Sequence, residues 1–137
     1  MNEPNKNEYL LLFRSTAWYS RLSPQELQQA MSQFKAWFDR LTESGKLKAA
    51  QPLAREGARV SGRPARVVAD GPFAESKEAI GGYFLVQADS LDEAIVIAKT
   101  SPALEHGAEV EVRPIAEECP LMSRAREIVP EEQLAPA

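Results

Sequence analysis

Few residues in this chain can move a proton near neutral pH. The only histidine, His106, stands in Glu105-His-Gly107, and imidazole is the side chain whose ordinary pKa best suits such chemistry. Asp70 opens the segment Asp-Gly-Pro, where a carboxylate either accepts backbone hydrogen bonds in a tight turn or acts as a base at the mouth of a pocket. We take Asp70 and His106 as the catalytic candidates. A turn role for Asp70 and a loop role for His106 are the simpler interpretations.

Candidate ligand-binding charges follow Asp70 closely. Lys77 and Glu78 lie seven and eight residues after it. They either line a cleft, where Lys77 would meet an anionic substrate, or are solvated loop charges that contribute only about 0.5 kcal/mol each through local pairing.

A second charged group lies on the last predicted strand. In Glu109–Arg113 charged and apolar residues alternate strictly, so Glu111 and Arg113 share one strand face. If that face lines a ligand-binding interior, Glu111 would have a raised pKa and act as an acid or base, and Arg113 would orient a carboxylate. Arg14, which ends the first predicted strand, could join them. The alternative is a solvated face or ion pairs between subunits.

Other site chemistries have no signature here. There is no His/Cys cluster with metal-ligand spacing, no glycine-rich phosphate loop and no nucleophile elbow. The single cysteine, Cys119, has no basic neighbour closer than Arg124 to activate it. We therefore predict no metal and no cofactor.

Composition narrows the class of protein. The chain has 137 residues, a formal net charge of −4 and one cysteine, which fits a single domain in a reducing, cytoplasmic setting. The longest apolar run, residues 94–98, is far shorter than a membrane span, so no membrane partner is expected. Residues 46–66 carry six Lys or Arg and one Glu. They lack interleaved aromatic residues, so no nucleic-acid partner is expected either.

The elements follow from spacing. Apolar runs and alternation predict strands at 9–13, 47–53, 80–88 and 109–113, and a hairpin over 58–69. Ser23-Pro-Gln-Glu26 predicts the start of a helix that ends near Gly45, and Ser90-Leu-Asp-Glu93 begins a second helix that ends near Pro102. Asp70-Gly-Pro72 predicts another turn.

This order is an α+β, ferredoxin-like βαββαβ pattern with an extra hairpin strand. Two helices cover only one sheet face, and a second copy of the chain would cover the other, which predicts a symmetric homodimer. We divide the chain into a flexible N-terminus (1–8), one domain (9–115) and an acidic C-terminal arm or tail (116–137).

The segment Asp70-Gly-Pro-Phe-Ala-Glu-Ser-Lys-Glu78, followed by Ile-Gly-Gly-Tyr-Phe84, resembles the signature of the DGPF group of the YCII-related family. Ser90-Leu-Asp-Glu-Ala94 and Glu111-Val-Arg-Pro-Ile115 extend the resemblance. It implies a dimeric α/β barrel. Small relatives are thought to be enzymes that use a histidine on the first helix and an aspartate. No histidine lies on the predicted first helix here, so only Asp70 matches.

Two functions remain open. In the first, the barrel binds a small anionic or aromatic metabolite, with cofactor-independent proton transfer of the isomerase or lyase type. In the second, the protein is a non-catalytic accessory or regulatory protein that acts through protein contacts. The family's association with extracytoplasmic-function sigma factors suggests one such partner.

Overall fold

The computed structural model describes residues 7–14, 18–72 and 80–134. Within these residues, six strands and three helices follow one another: β1 (Glu8–Arg14), α1 (Pro24–Glu43), β2 (Leu47–Pro52), β3 (Glu56–Ser61), β4 (Arg66–Pro72), β5 (Ile80–Gln87), α2 (Leu91–Lys99), β6 (Glu109–Pro114) and α3 (Pro120–Ile128). Short 3₁₀ turns span Trp18–Arg21, Pro102–His106 and Glu131–Gln133.

The main sheet has four antiparallel strands in the order β2–β5–β1–β6. Helix α1 connects β1 to β2, and α2 connects β5 to β6. Without the β3–β4 hairpin, this is the ferredoxin-like βαββαβ order, so the α+β fold predicted from the sequence is confirmed.

The inserted hairpin differs from the prediction in two respects. Strands β3 and β4 form a separate two-stranded sheet instead of adding a strand to the main one. The segment Asp70–Pro72, predicted as a turn, lies in β4, where Asp70 pairs with Ala58 and Pro72 pairs with Glu56. The turn prediction was wrong because pairing with β3 extends the strand to Pro72, and proline is tolerated at the end of such an edge strand.

Helix α1 begins and ends where the sequence predicts. The Ser23 side chain accepts a hydrogen bond from the backbone N–H of Glu26, and the Ser23 N–H donates to the Glu26 carboxylate, which forms a capping box. That N–H lowers the pKa of Glu26. Gly45, at φ +76°, follows the helix in the left-handed conformation that favours glycine.

The core lies between one sheet face and helices α1 and α2. This face contributes Tyr9 and Leu11 of β1 and Phe84 and Val86 of β5 to the core. The indole of Trp37 stacks on the Phe84 ring, with 5.1 Å between the ring centroids. The other core residues come from α1 and α2 (Leu41, Ala94, Ile97 and Ala98).

The opposite face of the sheet carries an apolar patch that no described element covers. Leu10 pairs with Leu85, and Leu12 pairs with Tyr83. All four are only half-buried, and they alternate with the buried residues of the same strands. We call these four residues the open-face patch.

The C-terminal arm contains a helix that the sequence did not predict. Cys119 precedes Pro120, the first residue of α3, and none of the helix is buried. Leu121 and Ile128 are 74% and 61% exposed. Within the described residues, no helix is long and apolar enough to cross a membrane.

Candidate functional site

A cavity of about 640 Å³ lies between α1 and strands β2 and β5. We call it the aromatic cleft, because a third of the residues that line it are aromatic. The aromatic residues that line it belong to β1, the first 3₁₀ turn, α1 and β5 (Phe13, Trp18, Tyr19, Phe34, Phe38, Tyr83 and Phe84). Phe13 contacts Phe84 edge-on at 4.9 Å. Such a cavity favours a flat, apolar ligand.

The polar groups of the cleft are cationic. Arg14, Lys48 and Arg55 line it together with the Gln51 amide and the Thr42 hydroxyl. Among the described residues that line the cleft there is no carboxylate. Three cations beside aromatic walls favour a ligand that carries a negative charge.

Gly82 brings β2 and β5 unusually close at the cleft. A Cβ on Gly82 would lie 2.8 Å from the Gln51 carbonyl oxygen. The β1–β5 register also shifts beside it, since Phe13 pairs with Gly82 but Arg14 pairs with Ile80. The close backbone approach and the register shift at Gly81-Gly82 both help to shape the cleft wall.

Three of the predicted ligand-binding residues lie together. The Glu111 carboxylate accepts hydrogen bonds from Arg14 Nε at 2.9 Å and from Arg113 Nη1 at 3.3 Å, on the sheet face that carries the open-face patch. Val110 and Val112 pack against the core on the other face, as the alternation predicts. Of the three charged residues, Arg14 alone lines the aromatic cleft.

The raised pKa predicted for Glu111 is wrong. The hydrogen bond from Arg14, with a further contribution from Arg113, lowers the pKa of Glu111 below its ordinary value of 4.5. The two guanidinium groups stabilise the carboxylate more than partial burial destabilises it. Glu111 is therefore an ionised partner for Arg14 and Arg113, not a general acid at neutral pH.

His106 lies outside the cleft lining. It ends the 3₁₀ turn Pro102–His106, and its ring stacks on the indole of Trp18 with 5.2 Å between centroids and 13° between planes. Trp18 is the residue that lines the cleft. The structure thus separates His106 from the cleft by one aromatic ring.

The remaining candidates come from the signature segment. The backbone of Asp70 lies in β4. Lys77 and Glu78 lie outside the described residues. The described part of the chain brings no three His, Cys, Asp or Glu side chains into an arrangement that could hold a metal ion.

Comparison with known proteins gives a family. The profile of the YCII-related domain matches residues 8–120. The chain belongs to the YCII-related family. An uncharacterised protein of Rhizobium meliloti (strain 1021) is 33% identical over 111 residues, which cover 78% of this chain and 90% of the relative.

A solved structure is also similar to this YCII-related chain. It is 5-chloro-2-hydroxyhydroquinone dehydrochlorinase from Burkholderia phenoliruptrix AC1100, in complex with 2,5-dihydroxybenzoquinone. The two chains share 16% sequence identity and superpose with a TM-score of 0.49, over 81% of this chain and 95% of the other.

The family match confirms the resemblance seen in the DGPF signature, and it ends at the first residue of α3. Sequence reasoning nevertheless missed most of the site in this YCII-related chain. It did not single out Phe34 and Phe38 of α1, which line the cleft. A usable signal was present, because the apolar stripe of α1 is accompanied by the aromatic pair Trp18-Tyr19 just before the helix.

Proposed function

We propose that this YCII-related protein binds a small aromatic anion in the aromatic cleft. The observation that carries the proposal is the combination of aromatic walls with Arg14, Lys48 and Arg55 and no carboxylate among the described lining residues. An aromatic ring would pack against the walls, and a carboxylate or phenolate would lie beside the cations.

Lys48 is the cation best suited to select a charged ligand. Arg14 is already paired with Glu111 at 2.9 Å, so part of its charge is neutralised in the free protein. Lys48 is an exposed residue of β2 that lines the cleft. An ammonium group there attracts an anion and gains nothing from a neutral ligand of the same shape.

The proposed function extends to a homodimer assembled through the open-face patch. Leu10, Leu12, Tyr83 and Leu85 form a contiguous apolar surface, which a second copy would remove from water. Tyr83 belongs to the patch and also lines the cleft. A second copy on this face would therefore border the ligand.

We also propose that the protein converts the bound molecule chemically. The lowered pKa of Glu111 and the stack between His106 and Trp18 direct attention to Asp70 as the base for a cofactor-independent isomerisation or elimination. Asp70→Asn would abolish turnover of a substrate, once one is found, without reducing its binding more than a fewfold.

The binding experiment compares two ligands of matched shape. We expect benzoate to bind more tightly than benzamide, measured by calorimetry or by NMR chemical-shift changes. Lys48→Gln should weaken benzoate binding about two- to fivefold, as expected for the loss of one solvent-exposed ion pair, and weaken benzamide binding less. Lys99→Gln, an exposed charge at the end of α2, is the matched control. Equal affinity for both ligands would contradict the proposal.

A protein-contact function is favoured by one observation. All of helix α3 except its first residue lies beyond the family match, and the helix exposes Leu121 and Ile128. If the protein acts as an accessory factor, removal of residues 116–137 will abolish recovery of its partner in co-purification. Unchanged recovery would exclude the arm from that function.

A further inference from the structure

Trp18 lines two cavities. It lines the aromatic cleft, and it also lines a neighbouring cavity of about 380 Å³ along α1, beside Leu27 and Met31. Tyr19 and Phe34 line both cavities as well, and Tyr19 contacts Trp18 edge-on at 5.5 Å. The orientation of the Trp18 indole therefore affects the shape of the proposed ligand site.

The imidazole of His106 stacks on the indole of Trp18. The two rings are nearly parallel, 13° apart, with their centroids 5.2 Å apart. The turn that carries His106 is fixed at both ends, since Pro102 begins it and Gly107, at φ +91°, ends it. Ala103 of the same turn is buried and lines the aromatic cleft.

We propose that His106 is a positioning residue of the aromatic cleft: its ring holds the Trp18 indole in place, and protonation of that ring tightens the hold. This inference rests on the proposed function for its effect on ligand binding. The contact between His106 and Trp18 itself can be tested without any ligand.

The charged groups near His106 bear on whether protonation strengthens or weakens its stack on Trp18. An imidazolium stacked on an indole gains a cation–π attraction that the neutral ring lacks. Glu26 at the start of α1 also feels this charge: the Ser23 backbone N–H is the main cause of its lowered pKa, and His106 contributes in the same direction. Glu105 adjoins His106, whereas Arg21 lies on the turn that carries Trp18.

Because an imidazolium attracts the indole face more strongly than a neutral imidazole does, we expect the stack to be tighter at low pH. Imidazoles ordinarily change charge between pH 5 and 8. A Trp18 indole that is held more firmly is better preorganised for the ligand. The affinity for benzoate should therefore rise by about two- to fivefold from pH 8 to pH 5.5. Benzoate remains largely ionised throughout this range.

The first experiment uses tryptophan fluorescence without ligand. The chain has two tryptophans and one histidine, and protonated imidazole quenches a stacked indole. We expect wild-type emission to fall between pH 8 and pH 5, with no such fall in Trp18→Phe or in His106→Phe. A fall that persists in His106→Phe would overturn the proposal.

The second experiment measures benzoate affinity at pH 5.5 and pH 8. His106→Phe keeps a stacking ring without the charge, so it should match the wild type at pH 8 and lose the gain at pH 5.5. His106→Ala removes both and should bind about two- to fivefold more weakly than His106→Phe at pH 8. Glu105→Gln is the control for folding and local charge, and it should keep most of the pH response.

The outcomes separate the two proposals. If the wild type binds no benzoate but shows the fluorescence response, the proposed function fails and the His106–Trp18 contact stands. If benzoate binds, but His106→Ala and the wild type have equal affinities at both pH values, the positioning role is refuted and the proposed function stands.

Discussion

The indole N–H of Trp37 donates a hydrogen bond to the Thr100 hydroxyl at 2.7 Å. This bond joins the middle of α1 to the residue that follows α2, and the same hydroxyl donates to the Ile97 carbonyl at 2.6 Å. Trp37 is 1% exposed. The two helices that cover the sheet are thus connected through a hydrogen bond between a buried indole and an exposed hydroxyl.

Thr100→Val leaves the Trp37 N–H without an acceptor. We expect the free energy of unfolding to fall by about 1–3 kcal/mol, the usual range for an unsatisfied buried donor. In a Trp37→Phe background the same substitution should be less destabilising, because the donor is already gone. Urea denaturation of the four proteins provides the measurement, and an equal loss in both backgrounds would refute the coupling.

Gly82→Ala places a methyl group against the β2 backbone. The new Cβ would lie 2.8 Å from the Gln51 carbonyl and 3.3 Å from Pro52 Cα, so the strands must separate. We expect a loss of about 1–3 kcal/mol in stability, together with weaker benzoate binding. A variant within about 0.5 kcal/mol of the wild type would show that the strands accommodate the methyl group.

The free energy of unfolding should depend on pH through the ionisation of Glu111. Its pKa is lowered in the folded state by the hydrogen bond from Arg14, so its contribution is present above the unfolded value and is lost as the pH falls through the folded value. Glu111→Gln should therefore be less stable than the wild type at pH 7, and the difference should shrink steadily below pH 4.5. Urea midpoints from pH 3 to 7 measure this, with exposed Glu132→Gln as the control. A difference independent of pH would contradict the ion pair.

Leu85→Arg places a charge in the open-face patch. We expect the wild type to sediment as a dimer at micromolar concentration and the variant as a folded monomer, because a cation cannot be buried there without a partner. Val96→Arg is the matched control, since Val96 is 57% exposed on α2. Analytical ultracentrifugation distinguishes the two, and a dimeric Leu85→Arg protein would place the interface elsewhere.

Local signals predicted the elements well. The boundaries of α1 follow from Ser23, Pro24 and Gly45, whose effects act within one or two turns of the chain. The alternation in β6 likewise predicted which residues face the core. Such features need only a short stretch of sequence.

Long-range pairing was harder to predict. Arg14 and Glu111 are 97 positions apart. The sequence suggested that Arg14 could join Glu111 and Arg113, but it did not predict that hydrogen bonding would lower the pKa of Glu111. Asp70 was assigned to a turn because its neighbours are turn residues, whereas pairing with Ala58 on β3 overrides that preference. The aromatic cleft was missed for the same reason, since Trp18, Phe34 and Tyr83 meet only in the folded chain.

The position of the β3–β4 hairpin also bears on how the chain folds. Pro52 at the end of β2 pairs with Gly82 near the start of β5, so residues 53–79 leave and rejoin the main sheet at neighbouring points. A two-residue turn could join these strands, and the hairpin instead makes their meeting a long loop closure. The entropic cost of closing a loop rises only slowly with its length, so the insertion weakens the finished sheet little. Contacts between residues far apart in sequence form slowly, so the insertion delays the pairing of β2 with β5.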